Sequence, residues 1–394
     1  MNVLHVIPSV APVRGGPSQA VLEMVKALRS QGINAEIATT NDNGPGLLEV
    51  PLRQTIEYQG VPVCFFPRYS PNLPAIREFA FSKALTDWLW THISDYDLVH
   101  VHAIFSYPST AAMAIARLRN IPYLVRPLGQ LCTWSLQQSA LKKQVYLQLV
   151  ERANLNHCRA LHFTTAQEQQ EAAHLGLTTS GFVLPHGLDL PEPYPDARSR
   201  LRQKLGVAPD EPIVLFLSRL HAKKGLDYLL PALGKLRAHQ FTFILAGNGT
   251  PDYEAEVDQL IEQHGLRDRT YRSGFIAGEE KNVIMQGADI FALTSHSENF
   301  GIAVLEAIAA GLRVVTTPHV PLAAMIQHHQ LGEVVELEVT AIAQALENAL
   351  EMIQDREKNQ ERINLGRQIV TISYTWEQIA AQLAEIYHGM ALKL

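Results

Sequence analysis

Two carboxylates, Glu298 and Glu306, stand eight positions apart in the stretch SHSENFGIAVLEAIAAG (residues 295–311), around an Asn299-Phe300-Gly301 turn. Ile302, Leu305, Ile308 and Ala309 follow helical spacing, and Gly311 is placed to end the helix. Glu298 therefore falls on the loop ahead of a helix and Glu306 in its second turn. Between them lie the free N–H groups of the first turn, which attract anions and polar ligand oxygens. Acids so placed could hold hydroxyls at two ends of one ligand. The plain alternative is a pair of solvated acids, one of them favoured by the helix dipole.

A second constellation is cationic. In Ser218-Arg219-Leu220-His221-Ala222-Lys223-Lys224-Gly225, an apolar strand runs into a helix start, the place where open α/β sheets bind ligands. Arg219 and Lys224 flank that turn, one a planar fork and the other a point charge, and together they suit a diphosphate. Two solvated loop cations are the competing reading. Gly247-Asn248-Gly249 follows the next strand and would admit a ligand close to the backbone, as Gly15-Gly16 would near the N-terminus. The third glycine of a dinucleotide fingerprint is missing after Gly249, which counts against a nicotinamide or flavin enzyme. His102 ends a strand and either points into a ligand cleft or is a core histidine. Asp95 and Asp97 form an Asp-x-Asp string ahead of a strand rather than after one, and are rejected as a metal site. Neither a G-x-S-x-G elbow nor an HExxH pair occurs.

These groups need strands that end where they stand. Apolar runs at 3–7, 34–39, 61–66, 98–103, 123–127, 160–165 and 182–185 alternate with helical stretches at 18–30 (capped by Ser18), 79–93, 110–119 and 168–175. Residues 134–156 read as one or two amphipathic helices. The segment 186–195 holds three prolines and reads as an interdomain linker. The alternation then restarts: helix 196–205, strand 212–220, a helix from Leu226, strand 241–247, helix 253–264, strands within 270–276 and 288–295, and strand 313–317. Residues 340–360 and 376–392 are helical. The expected fold class is α/β, with two doubly wound domains facing across a cleft. The first comprises residues 1–190 completed by 374–394, and the second residues 191–373.

Composition bounds the rest. A chain of 394 residues, 47% hydrophobic and 18% charged, suits two globular cores. A formal net charge of −6 argues against a general nucleic-acid binder. Cys64, Cys132 and Cys158 lack ligand spacing and read as reduced thiols. The N-terminus reads as a first strand rather than a signal peptide, and no run approaches a membrane span. The expected location is cytoplasmic.

Taken in order, the E-x7-E pair with its NFG turn, the SRLHAKKG strand end, the GNG turn and the Gly15-Gly16 loop resemble the retaining glycosyltransferases of family 4, which have the GT-B fold of two Rossmann-like domains. The resemblance spans almost the whole chain. It implies that Arg219 and Lys224 hold the donor diphosphate and stabilise the leaving group. Glu306 would take the ribose hydroxyls. Glu298 would sit near the transferred sugar, with the turn Asn299-Phe300-Gly301-Ile302 and its N–H groups on the sugar hydroxyls. Phe275 and Ile276 would grip the base, Gly15, Gly16 and Gly247 would approach the donor, and His102 would stand beside the sugar. The implied reaction transfers a hexosyl unit, glucose by preference, from a UDP-sugar, with no cofactor and no metal. The acceptor would be a saccharide or lipid-linked saccharide. The segment RPLGQLCTWSL (126–136) resembles members that build bacterial surface polysaccharides. A non-catalytic nucleotide-sugar-binding subunit and a UDP-N-acetylglucosamine epimerase are the alternatives. A helix carrying Lys142, Lys143 and Arg152 either lies on the inner face of the plasma membrane or packs on its own domain. The chain departs from the family in Pro318-His319-Val320-Pro321-Leu322, where a glycine pair and a glutamate are usual, and in His186-Gly187 for Asn-Gly.

Overall fold

Strands covered on both faces have no polar side to show water, so the Val-, Ile- and Leu-rich runs assemble into parallel sheets. The computed structural model describes residues 1–391; Leu392, the expected end of the last helix, and the remainder of 374–394 beyond it lie outside the described residues. Packing divides the chain into one unit of Met1–Gly187 with the chain from Trp376 onward, and a second of Leu188–Thr375.

In the first unit the strands are Asn2–Val6 (β1), Asn34–Thr40 (β2), Thr55–Tyr58 (β3), Val61–Phe66 (β4), Leu98–His102 (β5), Tyr123–Arg126 (β6), Ala160–Phe163 (β7) and Gly181–Val183 (β8). They lie in the order β8-β7-β6-β5-β1-β2-β4-β3. All pair in parallel except the edge strand β3, which runs antiparallel to β4. The order reverses between β1 and β5, so the loops after these two strands flank a switch point. The register sets His5 beside His100 and His102 beside Arg126, on strands buried along their length.

The second unit holds Ile213–Leu217 (β9), Thr242–Ala246 (β10), Thr270–Gly274 (β11), Ile290–Leu293 (β12), Arg313–Thr316 (β13) and Gly332–Val334 (β14). Their order is β11-β10-β9-β12-β13-β14, all parallel. Within the unit this is the 3-2-1-4-5-6 arrangement of dinucleotide-binding sheets, with its switch point between β9 and β12. Phe216, Phe243 and Phe291 are wholly buried in its core. Burying one such ring contributes roughly 1.5–3 kcal/mol.

Several boundaries differ from expectation, each for a local reason. The helix expected at 79–93 begins only at Lys83, as Lys83–His92, and an unanticipated short helix, Pro74–Glu78, precedes it. Ala80 is left-handed at φ 57° between them, and Ser82 caps the second by accepting from the Leu85 N–H. Ser18 is not a cap: the first helix starts at Gly16, and the Ser18 hydroxyl donates to Ser9 O at 2.8 Å. The stretch 340–360 divides into Val339–Met352 and Arg356–Ser373, where Asp355 caps the second helix. The helix expected at 110–119 is Tyr107–Leu118. Residues 134–156 become helices Thr133–Gln137, Ala140–Tyr146 and Arg152–His157, with a π turn at Leu147–Glu151. The edge strand β3 and a short pairing of Asp42–Asn43 with Gly46–Leu47 were not anticipated. No helix among the described residues is long and apolar enough to cross a membrane.

Candidate active site

At the switch point of the second unit, the turn after β9 packs directly on the end of β12. Gly225 stands at φ +69°, and a Cβ there would meet Thr294 O at 1.9 Å, so only glycine permits the approach. The Thr294 hydroxyl donates to Gly225 O at 2.9 Å and locks the two segments together. This contact delivers Lys224 to Glu298: Nζ lies 2.5 Å from Oε1, and the Ser295 hydroxyl donates to the same oxygen at 2.8 Å. The two side chains are only 15% and 11% exposed, so each charge has lost most of its water and depends on the other. The Glu298 backbone N–H donates to His319 O at 3.2 Å, which anchors the unusual 318–322 loop against the turn.

Arg219 is exposed and makes no hydrogen bond or ion pair among the described residues. The His221 imidazole reports the surrounding field: desolvation first, then Arg219, Lys224 and Lys223, hold its pKa below the ordinary value. The strand end is therefore electropositive, with Lys224 paired to Glu298 and Arg219 uncommitted.

The helix Ile302–Ala310 begins at Gly301, at φ +87°, with no side chain capping it, and ends at Gly311, at φ +99°. Asn299 Oδ1 is buried without a partner, and an orphaned acceptor of this kind calls for a donor from elsewhere. Phe300 is buried, with its ring 6.2 Å from that of Tyr374, and Ile302 packs on the core. Glu306 pairs with Lys281 at 2.6 Å. The two acids thus have separate cationic partners. After β11, Phe275 is 72% exposed while Ile276 is buried. Gly247 has a packing reason of its own: a Cβ there would meet Ser218 O at 1.9 Å, where the ends of β9 and β10 converge. Ser295, Thr294 and Lys281 were missed by sequence reasoning. Lys281 carries no spacing signal, because it reaches Glu306 from a different helix, Gly278–Gly287.

In the first unit, a Cβ at Gly15 or Gly16 would meet nothing within 4 Å, so neither glycine is demanded by packing around it; Gly15, however, stands at φ +77°. The adjacent Arg14 is tied to Asp42 and Glu78, both at 2.7 Å. His102 is fully buried, and its Nε2 bonds His5 Nδ1 at 2.9 Å. It belongs to a buried polar stripe. The Tyr387 hydroxyl meets His100 Nδ1 at 2.7 Å, His100 Nε2 lies 3.4 Å from His162 Nδ1, and His162 Nε2 donates to Leu184 O at 2.9 Å. That final carbonyl fixes the direction of donation back to the tyrosine, so each imidazole gives one proton and accepts one, as neutral rings do. Burial holds His100, His102, His162 and His186 well below the ordinary histidine pKa and His5 down at about 3. Arg126, also wholly buried, adds its charge in the same direction and donates to His186 Nδ1 at 3.1 Å. Nitrogens of His5, His100 and His102 lie within 4.8 Å of one another, a grouping that could hold a metal ion, though a dication there would face the Arg126 guanidinium.

Two family models match the chain: "Glycosyl transferase 4-like domain" over residues 15–187 and "Glycosyl transferases group 1" over 197–369. The D-inositol 3-phosphate glycosyltransferase of Xylanimonas cellulosilytica is 26% identical over 388 residues, 95% of this chain and 91% of that protein. An uncharacterized glycosyltransferase of Methanocaldococcus jannaschii is 31% identical over 194 residues, about half of each chain (49% and 48%). The crystal structure of Anabaena HepE in complex with UDP and glucose superposes with a TM-score of 0.77 at 22% identity, covering 99% of this chain and 100% of that one.

Proposed function

The chain belongs to the GT4-like glycosyltransferases of the GT-B fold, and on that premise we propose that it transfers glucose from UDP-glucose to a saccharide or lipid-linked saccharide, with retention at the anomeric carbon and without a metal ion. One observation carries the reading. Lys224, paired to Glu298, and the uncommitted Arg219 stand together at the switch point of a 3-2-1-4-5-6 sheet.

The chemistry is a leaving-group problem. Breaking the anomeric C–O bond builds negative charge on the diphosphate, and fixed cations favour that transition state over the ground state. An ammonium has three protons. Lys224 gives one to Glu298 and keeps two for phosphate oxygens, while the Arg219 fork matches a pair of them. In this reading these cations supply the positive charge that a metal ion would otherwise supply. Glu298, steadied by Lys224 and Ser295, keeps its second oxygen for a sugar hydroxyl, and Asn299 Oδ1 is free to accept from another. Glu306 serves the ribose, and Phe275 and Ile276 the base; His102, wholly buried and bonded to His5, is closed to a ligand as it stands. HepE, bound to UDP and glucose, supports the choice of donor. The polysaccharide role rests on the 126–136 segment.

Calorimetric titration with UDP tests the donor assignment. Arg219→Ala and Glu306→Ala should each weaken binding about tenfold, the scale of one charge-assisted contact. Unchanged affinity in both variants would overturn the assignment. The anomeric configuration of the product, read by NMR, tests retention.

A further inference from the structure

A pocket of about 400 Å³ in the first unit lies between the loop after β5 and the helices Pro74–Glu78 and Ala140–Tyr146. None of the roles above uses it. Its walls are Phe79, Phe105 and Tyr146. The Phe79 and Tyr146 rings meet edge to face at 5.9 Å, and Phe105 lies 6.1 Å from Tyr146. Lys142 and Lys143 complete the lining. Lys142 is exposed; Lys143 donates to Ser135 O at 2.6 Å and lies 5.7 Å over the Phe105 ring. Neither lysine is ion-paired among the described residues. The carboxylate in the lining, Glu78, is engaged by Arg14 at 2.7 Å. The pocket therefore combines aromatic faces with two cations that no acid compensates.

Its construction is specific. Phe105 is left-handed at φ 56°, as Ala103 is at 66°, and a bulky residue in that region costs energy unless its surroundings hold it there. Glu151 does the holding. It is wholly buried, accepts from the Phe105 backbone N–H, and accepts from the Thr110 hydroxyl at 2.6 Å. The Thr110 oxygen in turn lies 2.8 Å from the Tyr146 hydroxyl. Glu151 closes the π turn Leu147–Glu151, and such turns recur at functional positions. One buried acid thus fixes two of the three aromatic walls.

We infer that this pocket binds the acceptor, and that the acceptor is a saccharide bearing an anionic group, either a carboxylate or a phosphate. The rings face the apolar side of a sugar, Lys142 and Lys143 meet the anion, and Glu151 is a positioning residue for Phe105 and Tyr146. This rests on the transferase reading and names its acceptor class.

The test uses the full chain with saturating UDP, titrated by NMR with a glucuronate-terminated disaccharide, N-acetylglucosamine 1-phosphate and neutral cellobiose. One anionic probe should bind about tenfold tighter than cellobiose, and the better of the two identifies carboxylate or phosphate. Lys142→Glu, an exposed change with no fold to disturb, should abolish that preference. Phe105→Ala should weaken the preferred probe by a similar factor. Equal binding of charged and neutral probes, no binding of either anionic probe, or a preference that survives Lys142→Glu overturns the inference. If UDP binds while the preference is absent, the pocket assignment alone falls; if UDP itself does not bind, the donor reading falls with it.

Discussion

Lowering the pH from 7 to 5 should selectively destabilise the first unit. His5, His100, His102, His162 and His186 are all buried as neutral rings, whereas in the unfolded chain each titrates near its ordinary 6.5. A base whose folded pKa is depressed contributes its full stability above the unfolded value and loses it as pH falls from there toward the folded value. For His5 that window runs from 6.5 down to about 3. At pH 5 the 1.5 units already crossed correspond to about 2 kcal/mol at 1.36 kcal/mol per unit. The other four rings act in the same direction. Even two of them beside His5 would remove several kcal/mol, a large part of the roughly 5–15 kcal/mol that holds a domain together. All four tryptophans, Trp88, Trp90, Trp134 and Trp376, belong to this unit, so urea unfolding followed by tryptophan fluorescence reports on it alone. The slope of stability against pH between 6.5 and 5 counts the protons taken up on unfolding, in a range above most carboxylate titrations. Several protons are expected, and one fewer in His5→Gln. A flat profile between pH 7 and 5, or NMR signals assigned to these five imidazoles that titrate near 6.5 in the folded protein, would refute the reasoning.

Gly225→Ala should cost the second unit at least about 3 kcal/mol, because the new methyl meets a backbone oxygen in a left-handed turn; a thermal melt within a degree of the wild type would contradict this. On the proposed reading, Glu298→Gln should lower kcat about 100-fold and also weaken UDP binding, since it unseats the lysine assigned to the donor diphosphate; kinetics and calorimetry on the same variant read both effects, and wild-type values in both would contradict it. Prolonged EDTA treatment should leave the rate of sugar transfer unchanged, and a loss restored by a divalent ion would replace the protein-cation mechanism with a metal-assisted one.

Much of the fold was legible because strand and helix periods are local. The runs at 98–103 and 241–247 contain β5 and β10 whole, and Gly311 stops its helix where the spacing placed it. Where expectation failed, a single side chain or a backbone sign had overridden periodicity, as Ala80 and Ser82 do in delaying to Lys83 the helix expected from 79. The candidate site was legible in its types more than in its contacts. Glu298 and Lys224 were each singled out, but with separate tasks, and their direct pairing was not foreseen.

Order along the chain, apolar period and the placing of charged residues at strand ends were determined by the sequence alone, since each depends on neighbours a few positions away. Tertiary structure decided which charges meet. Lys224 and Glu298 are 74 positions apart, and Lys281 and Glu306 are 25 apart. Their pairing follows from strand order and from the close approach that Gly225 permits. The histidine stripe is the stronger case. His5, His100, His162 and Tyr387 come from four distant segments, and none carries a spacing that announces the others. Only the parallel register of the sheet, with Tyr387 of the last helix packed against it, puts them in a common desolvated space, where burial rather than residue type sets their charge.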